Sequence, residues 1–334
     1  MTALQVDEHV LPVTVTTPPT DPAAPLAWTV SLRTAYGPYA AEELKTLPLA
    51  GLRPPLTVVV GAIDGALRLA GLDHLVCVNN WMLSTNLLPA WGGQGAEAMT
   101  RALVHDYPGH FLAVRSLNRR HHGRVLECLH DLGWSLLPAR QVWIAEPDHN
   151  PTRDQDNDAR LLRKTTLGRV MGAAFSDDDW RRTADLYAQL YLHKYSRLNP
   201  VFTPRFLRWA SENGFMRVEG VRQDGGPLLG VVGTIAAGAV MTTPLVGYDT
   251  AQPQRLGLYR LLTALAFEEM RRTGRSFNLS AGVGGFKRNR GACPEIEYTA
   301  LWHRHLPWTR RAPVLALAAL LERVGVPLMR RYDL

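Results

Sequence analysis

Glycine and basic side chains are concentrated between residues 278 and 291, where the sequence reads NLSAGVGGFKRNRG. Lys287 is a compact cation that can hold a phosphate or an oxyanion, and Arg288 and Arg290 can grip phosphate oxygens through paired N–H donors. The glycines allow the backbone to approach a bound group closely. This spacing predicts an anion-binding or oxyanion-stabilising site, with a solvated basic loop as the alternative.

A second loop that suits an anion comprises residues 254–257, directly before a predicted helix at residues 258–272. The first N–H groups of a helix lack intrahelical partners and lie at its positive dipole end. Gly257 permits close approach and Arg255 adds a charge, so the loop predicts a pyrophosphate site. An ordinary strand-to-helix turn is the alternative.

Other polar and aromatic side chains flank these two loops. Asn278 and Ser280 are two apart on a predicted strand, so both point to one face, and with Trp81 they form the predicted substrate-binding set. An aspartate before a helix commonly serves as a cap, but it can also accept a proton. The candidates for proton transfer or substrate anchoring are Tyr248, Asp249 and Tyr298.

Two rival chemistries fail at particular residues. A hydrolase elbow needs G-x-S-x-G at the start of a helix, whereas Ser280 lies in NLSAG and is followed by the glycine-rich run GVGG. A Walker-type phosphate loop needs a glycine five residues after Gly282, where this chain has Lys287. The sequence therefore favours neither a serine hydrolase nor a P-loop enzyme.

Two similar successions of elements position the loops. The first half predicts strands at 56–60, 66–70 and 75–80, a glycine-containing loop at 88–95, a helix at 96–105 and a strand at 111–114. The second half predicts strands at 216–221, 228–236 and 240–248, the loop at 254–257, a helix at 258–272 and a strand at 277–280. The repeated order predicts a duplicated α/β domain.

The domain boundaries follow from composition. Residues 147–160 contain two prolines and several acids, which predicts an acidic linker. Its spaced aspartates do not make a calcium loop, because Ala159 and Thr165 stand where Gly and Glu are needed. The other predicted parts are an N-terminal domain at 1–146, a C-terminal domain at 161–310 that carries the main motif, and an apolar and basic C-terminal helix at 311–334.

Composition limits the partners and the compartment. The chain has 334 residues, a formal charge of +7 and a pI near 9.5, which suits a phosphate-bearing ligand, RNA or an anionic membrane surface. Its three cysteines form no C-x-x-C pair. The N-terminus has no signal-like apolar region and no apolar run reaches about 18 residues, so we expect a cytoplasmic protein without a spanning helix. The tail at 313–334 either packs on the body or makes peripheral contact with the inner face of a membrane.

Together these motifs resemble the GNAT acyltransferase superfamily. Residues 254–257 match the first four positions of its loop Arg/Gln-x-x-Gly-x-Gly/Ala, whereas Tyr259 replaces the usual small residue. The run SAG followed by Phe286, Lys287 and the RGA at 290–292 resembles the FemABX-like and BioF2-like acetyltransferase branch. Members of that branch carry two GNAT domains in tandem. The resemblance implies an α/β (α+β) fold of two tandem GNAT-like domains, each with a mixed, mostly antiparallel central sheet flanked by helices.

The resemblance also implies a function, which is transfer of an acyl or aminoacyl group to a small-molecule amine acceptor. The donor is an acyl-CoA such as acetyl-CoA, or an aminoacyl-tRNA, and Lys287 acts electrostatically. Neither a permanently bound cofactor nor a metal is expected, and the identity of the donor, tRNA as a partner and the oligomeric state stay open. A non-catalytic lipid- or RNA-binding module is the alternative function. The predicted cofactor-binding residues are Gln254, Arg255, Leu256, Gly257, Leu258 and Arg290.

Overall fold

The computed structural model, which describes residues 1–19, 26–45, 51 and 53–333, divides the chain into two units. Unit 1 comprises Met1–Gln141, Leu198–Pro200 and Glu295–Leu334, and unit 2 comprises Val142–Arg197 and Val201–Pro294. The chain therefore begins in unit 1, builds unit 2 and returns to unit 1 for its last 40 residues.

Strands and helices alternate along most of the chain. The strands are β1 (Thr2–Val6), β2 (His9–Thr16), β3 (Leu75–Val78), β4 (Phe111–Asn118), β5 (Ser135–Ala145), β6 (Gly168–Met171), β7 (Arg217–Arg222), β8 (Leu228–Ala237), β9 (Val240–Tyr248), β10 (Ser276–Asn278) and β11 (Cys293–Trp302). The helices are α1 (Leu32–Thr34), α2 (Ala40–Leu44), α3 (Arg53–Ala70), α4 (Ala96–Asp106), α5 (Arg119–Leu132), α6 (Arg153–Lys164), α7 (Asp177–Tyr187), α8 (Pro204–Glu212), α9 (Leu258–Thr273), α10 (Gly284–Arg288), α11 (Trp308–Leu320) and α12 (Val326–Tyr332). Wider, π-type turns follow α1, α7 and α11 at Ala35–Tyr39, Ala188–His193 and Leu321–Gly325.

Each unit contains a mixed, mostly antiparallel sheet. In unit 1 the order is β1-β2-β3-β4-β11-β5, and β3 and β4 are its parallel pair. In unit 2 the last residues of β5 begin the order β5-β10-β9-β8-β7-β6, and β9 and β10 are its parallel pair. Helices flank both sheets, so the predicted α/β (α+β) fold class is confirmed.

The parallel pair of each unit is joined in the same way. A helix connects β3 to β4 and another connects β9 to β10, as parallel neighbours require. Both helices, α4 and α9, begin at a glycine in the left-handed conformation, Gly95 with φ 70° and Gly257 with φ 62°. A side chain would be strained at either position. The predicted succession of strand, loop, helix and strand is thus present twice.

Apolar side chains from both strands and helices form the interior of each unit. In unit 1 the fully buried residues of β3 and β4 pack against the first turns of α4 and the apolar stripe of α5. In unit 2 the long helix α9 contributes eight buried residues and packs on β8, β9 and β10. This packing fixes where α9 begins, and therefore where its first N–H groups lie.

Residues 56–60 and 66–70, predicted as strands, form helix α3. Their valine-rich sequence is typical of a strand, but prolines 54 and 55 lie in the first turn, where they cost no hydrogen bond. Tertiary packing decides the outcome, because α3 lies against α11 and buries Leu67 and Ala70. The N-terminal hairpin of β1 and β2 was not predicted.

The structure also differs from the predicted linker at 147–160. Helix α6 begins inside that range with a capping box between Thr152 and Gln155. Asp158 is 2% exposed, so the predicted segment is not solvated throughout. The division between units falls after Gln141, and residues 295–334 return to unit 1 instead of dividing at 310. The linker prediction treated Asp158 as solvated. Its partners Arg260 and Arg290 lie more than 100 residues later in the chain, so the sequence around Asp158 does not indicate them.

The C-terminal tail is a helical segment of mostly half-buried and exposed residues. Within the described residues, which exclude Leu334, one segment, Trp308–Tyr332, is long and apolar enough to cross a membrane by length and composition. The absence of a spanning helix stays a prediction, because this segment meets the criterion by length and composition alone. Only 17% of its most apolar stretch is buried, so it does not form a core helix.

Candidate functional site

Strands β9 and β10 run side by side over only three residues of each. Their last pair joins Thr242 to Asn278, where the Thr242 hydroxyl donates to the Asn278 carbonyl at 2.7 Å. The chain after β10 then turns away, because Leu279 and Ser280 exchange backbone hydrogen bonds with Trp143. Among the residues that the structure describes, no strand pairs with β9 on that side between Thr243 and Tyr248. A gap therefore opens between the two strands.

A small recess, with a cavity volume of about 30 Å³, lies at this divergence. Its walls come from β8, β9, β10, α9 and α10, and most of its lining is aliphatic or aromatic. The rings of Tyr259 and Phe286 lie 4.9 Å apart at centroid level, and Tyr259 thus occupies space that a small residue would leave open. The lining residues are Val232, Thr243, Val246, Tyr259, Leu262, Thr263, Ala266, Phe277, Leu279, Phe286 and Lys287.

Lys287 lies in the wall of the recess, and its side chain holds the loop after β10. Its Nζ donates to the carbonyl oxygens of Ser280 at 3.0 Å and Ala281 at 2.7 Å, and the residue is 4% exposed. Ser280 and Val283 have positive φ, so the loop is strained and needs this support. The structure brings Lys287 to the recess as predicted from the motif, with its ammonium bonded to protein carbonyls.

Arg290 does not face the recess. Its Nε donates to Asp158 Oδ2 at 2.6 Å, its Nη1 donates to the Phe286 carbonyl, and its guanidinium lies 3.3 Å from the centroid of the Phe286 ring. It is 4% exposed. Arg290 therefore anchors α10 to α6 and supports the ring of Phe286, and the structure does not place it to bind a donor phosphate. Arg288 lies over Trp143 instead, at 5.2 Å.

The predicted phosphate loop has the conformation that such a site needs. Gln254 and Arg255 are exposed, and the Gly257 N–H donates to the Gln254 carbonyl at 2.9 Å. A Cβ on Gly257 would lie 2.8 Å from Leu161 Cδ2, so glycine is required by packing as well as by φ. Leu256 is half-buried and Leu258 is buried, so their contribution is to the backbone shape. The first N–H groups of α9 and the Arg255 charge fit a phosphate group.

Asp249 is held in an ion pair next to this loop. Its carboxylate accepts from Arg182 at 3.0 Å, from the Ala251 N–H and from Gln252. Burial acts to raise the pKa of Asp249, but these hydrogen bonds and the arginine charge outweigh burial and lower it. The carboxylate therefore shapes the turn before α9, and its lowered pKa makes it a weak base.

A group of tyrosines beside the recess was missed by the sequence reasoning. Tyr187, Tyr191 and Tyr195 are spaced by four residues across α7 and the wider turn after it, and Tyr187 and Tyr191 stack at 4.8 Å. Burial raises the pKa of Tyr259 to about 12, and Tyr195 and Tyr248 add to the effect. The i, i+4, i+8 spacing was the available signal. Of these tyrosines, Tyr259 lines the recess, where its ring and that of Phe286 form an aromatic part of the wall.

The remaining predicted residues lie elsewhere or have structural partners. Asn278 is 2% exposed, and its side-chain oxygen accepts the Ser280 N–H at 2.9 Å, so it shapes the strand exit. Tyr298 and Trp81 belong to unit 1. Tyr298 is buried on β11 under the guanidinium of Arg119 at 5.9 Å.

Unit 1 has a polar cluster of its own where β3 and β4 end. The Trp28 ring lies between Arg115 at 4.9 Å and Arg140 at 5.2 Å, and Arg140 pairs with Glu297 at 2.8 Å. Burial lowers the pKa of Arg115. At the start of α4 a Cβ on Gly95 would lie 3.2 Å from an Asp7 carboxylate oxygen. An acid at that helix end repels phosphate, so unit 2 has the better anion site.

No family model matches this sequence, and no curated protein matches it. Solved structures with a similar fold include L-PGS from Bacillus licheniformis, at 14% identity and a TM-score of 0.49, over 73% of this chain and 82% of that one. FemX is similar at 9% identity and a TM-score of 0.48, over 61% of this chain and 76% of that one. A tandem GNAT protein from the clavulanic acid biosynthesis pathway is similar at 12% identity and a TM-score of 0.39, over 68% of this chain and 75% of that one. At these scores, the assignment of the site depends on the geometry of unit 2.

Proposed function

We propose that this protein transfers an acyl or aminoacyl group to an amine at the recess of unit 2. The observation that carries the proposal is the divergence of β9 and β10 beside the N-terminus of α9. A strand edge without a neighbour offers backbone donors and acceptors to an extended ligand arm. The first turn of α9 offers N–H groups to a phosphate at one end of such an arm.

In this proposal the chain acts by orientation and charge. The amine nitrogen bonds to the donor carbonyl carbon, the carbon–sulfur or carbon–oxygen bond breaks, and the amine proton leaves with the thiolate or alkoxide. Negative charge develops on the carbonyl oxygen meanwhile. Lys287 is the cation that lines the recess, and it keeps the Ser280–Ala281 carbonyls fixed while its charge favours the oxyanion.

The aromatic wall favours a neutral amine at the mouth. Tyr191, Tyr195 and Tyr248 interact electrostatically with Tyr259, and burial raises the pKa of Tyr259 to about 12, so that phenol is uncharged at neutral pH. An attacking amine must be unprotonated, and a poorly hydrated site disfavours its charged form. The tyrosines therefore suit the acceptor, while Gln254, Arg255 and Gly257 suit the donor.

The test is a transfer assay with acetyl-CoA, a long-chain acyl-CoA and aminoacyl-tRNA against a panel of amines, read as donor consumption. We expect one donor class to be consumed and Lys287→Met to reduce kcat by about 100-fold or more, the usual cost of a lost oxyanion contact. Lys164→Met is the matched control, because Lys164 is exposed at the end of α6. Full activity of Lys287→Met would refute the role of Lys287.

A catalytically silent binding module is the second candidate. Two observations favour it, the Tyr259 ring within the recess and the Lys287 ammonium already bonded to two carbonyls. Thermal unfolding with each donor separates the two candidates, since a ligand at 100 times its Kd stabilises by about 2.7 kcal/mol. Stabilisation by a donor without its consumption, by any amine, would favour the binding module.

A further inference from the structure

Helix α3 presents an apolar stripe to solvent along its whole length. Every position of the stripe is exposed, and Val58 and Leu69 expose 72% and 89% of their surface. Positions spaced by three or four residues share one helix face, so these side chains form a continuous row. A helix on a protein surface normally turns polar residues outward. The residues of the α3 stripe are Pro55, Val58, Ala62, Gly65 and Leu69.

Helix α11, next to α3, also turns apolar side chains outward. Helix α11 packs against α3 and buries Val314 and Leu317, yet its outward positions are also mostly apolar. Trp308 is 63% exposed at its first turn, and Val324 is 45% exposed beyond its end. The outward positions are Trp308, Ala312, Ala316, Ala319 and Arg323. The two adjacent helices thus carry an exposed apolar face within unit 1, which we name the α3–α11 face.

The charges around the α3–α11 face are mainly positive. Residues 53–70 and 308–333 contain seven arginines and three acids. One of the acids, Asp64, is already paired with Arg33 at 2.9 Å. Arginines 323, 330 and 331 are exposed at the far end of the tail helix. Apolar side chains bordered by arginine, with an exposed tryptophan at one end, are typical of a surface that inserts shallowly between anionic lipid headgroups.

Helix α11 is held so that it can lie on a membrane surface without crossing the membrane. The Arg310 side chain donates to the carbonyls of Ala70, Gly71 and Gly109, which fastens α11 to the C-terminal end of α3. A crossing helix would have to break these bonds and carry Arg323 and Glu322 into the bilayer, where charges are costly. We propose that the α3–α11 face docks unit 1 on an anionic bilayer surface, independently of the reaction proposed for unit 2.

The first test is cosedimentation with vesicles of phosphatidylcholine alone or mixed equally with phosphatidylserine. We expect binding to the anionic vesicles only. The double variant Val58→Asp, Leu69→Asp should weaken it more than 100-fold, because it removes two large apolar contacts. Arg323→Gln, Arg330→Gln should weaken it about 25-fold, at about five-fold for each charge lost near the surface. The matched controls, Val10→Asp with Val201→Asp and Arg124→Gln with Arg205→Gln, change exposed residues outside helices α3 and α11 and should bind like wild type.

A second measurement reports the docked side chain directly. Lipids with brominated acyl chains should quench Trp308, so quenching should fall in Trp308→Phe, while circular dichroism confirms that each variant is folded. Three results would overturn the proposal: equal binding to neutral vesicles, equal losses in the controls, or no vesicle binding at all. Self-association that Val58→Asp, Leu69→Asp abolishes, seen by sedimentation velocity, would assign the face to a second copy of the chain instead.

Discussion

Asp158 links three elements of unit 2 through two arginines. Its Oδ1 accepts from Arg260 at 2.6 Å and its Oδ2 accepts from Arg290 at 2.6 Å, and the side chains of Asp158 and Arg290 are 3% and 5% exposed. Asp158→Ala leaves the buried Arg290 guanidinium with the longer and more exposed ion pair to Asp154, at 3.9 Å. Removing one partner of a buried pair costs about 3–5 kcal/mol, whereas the Arg260 pair, at 44% exposure, adds little.

The loss can be read from thermal and urea unfolding. For a unit of this size it lowers Tm by roughly 6–20 °C, at about 2–4 °C per kcal/mol. Asp156→Ala is the matched control, since Asp156 is exposed two residues earlier in the same helix. It should cost under about 1 kcal/mol, mainly by a weaker interaction with the helix dipole.

A double-mutant cycle isolates the buried pair. Asp158→Ala combined with Arg290→Leu removes both charges. The loss of stability in the double variant should therefore be smaller than the sum of the two single losses, by about 1–3 kcal/mol. An Asp158→Ala variant within 1 kcal/mol of wild type would refute the reasoning. That outcome would mean that residues 153–164 are solvated, as the linker prediction held.

Three further perturbations test other parts of the structure. Gly257→Ala should cost about 1–2 kcal/mol of stability from its positive φ, and a further amount from contact with Leu161. Gly238→Ala, with φ 54° and open space around it, should lose only the amount due to φ. Equal losses in the two variants would contradict the contact with Leu161. Gly247→Ala would place a Cβ 2.6 Å from the Tyr187 nitrogen, so we expect a loss of about 2–3 kcal/mol and a changed near-ultraviolet circular dichroism of the tyrosines, unlike Gly123→Ala, whose surroundings are open. Burial lowers the pKa of His122 to about 4, so the unfolded chain binds the proton first as pH falls from 6.5; stability should decline between pH 6.5 and 4 by up to about 3 kcal/mol, and His122→Gln should flatten this slope in urea titrations.

Local patterns in the sequence predicted the strand, the loop and the helix around Gly257. The 3.6-residue apolar period of α9, the glycine before it and the alternation of β9 are properties of short segments, so the strand–loop–helix order and Gly257 were predictable. The duplication followed, because Gly95 begins α4 in the same way. These features need no knowledge of distant contacts.

Side-chain direction could not be predicted in the same way. Arg290 and Asp158 are 132 residues apart, and nothing in either segment indicates that a motif arginine turns to a helix that was read as a linker. The valine-rich α3 is a helix because it packs against α11. That partner lies some 240 residues later, so the local sequence does not indicate it. Lys287 was identified correctly as a recess residue, but its bonds to Ser280 and Ala281 depend on the left-handed residues between them.

The late return of the chain to unit 1 sets the order in which the protein can fold during synthesis. Strand β11 lies between β4 and β5 in unit 1, yet 157 residues separate Ala145 from Trp302. At about 5–20 residues per second, the edges of β4 and β5 wait roughly 8–30 s for this strand. Unit 2 is nearly contiguous in sequence and can finish first. A nascent chain should therefore need protection at those two edges, and a C-terminal truncation should harm unit 1 more than unit 2.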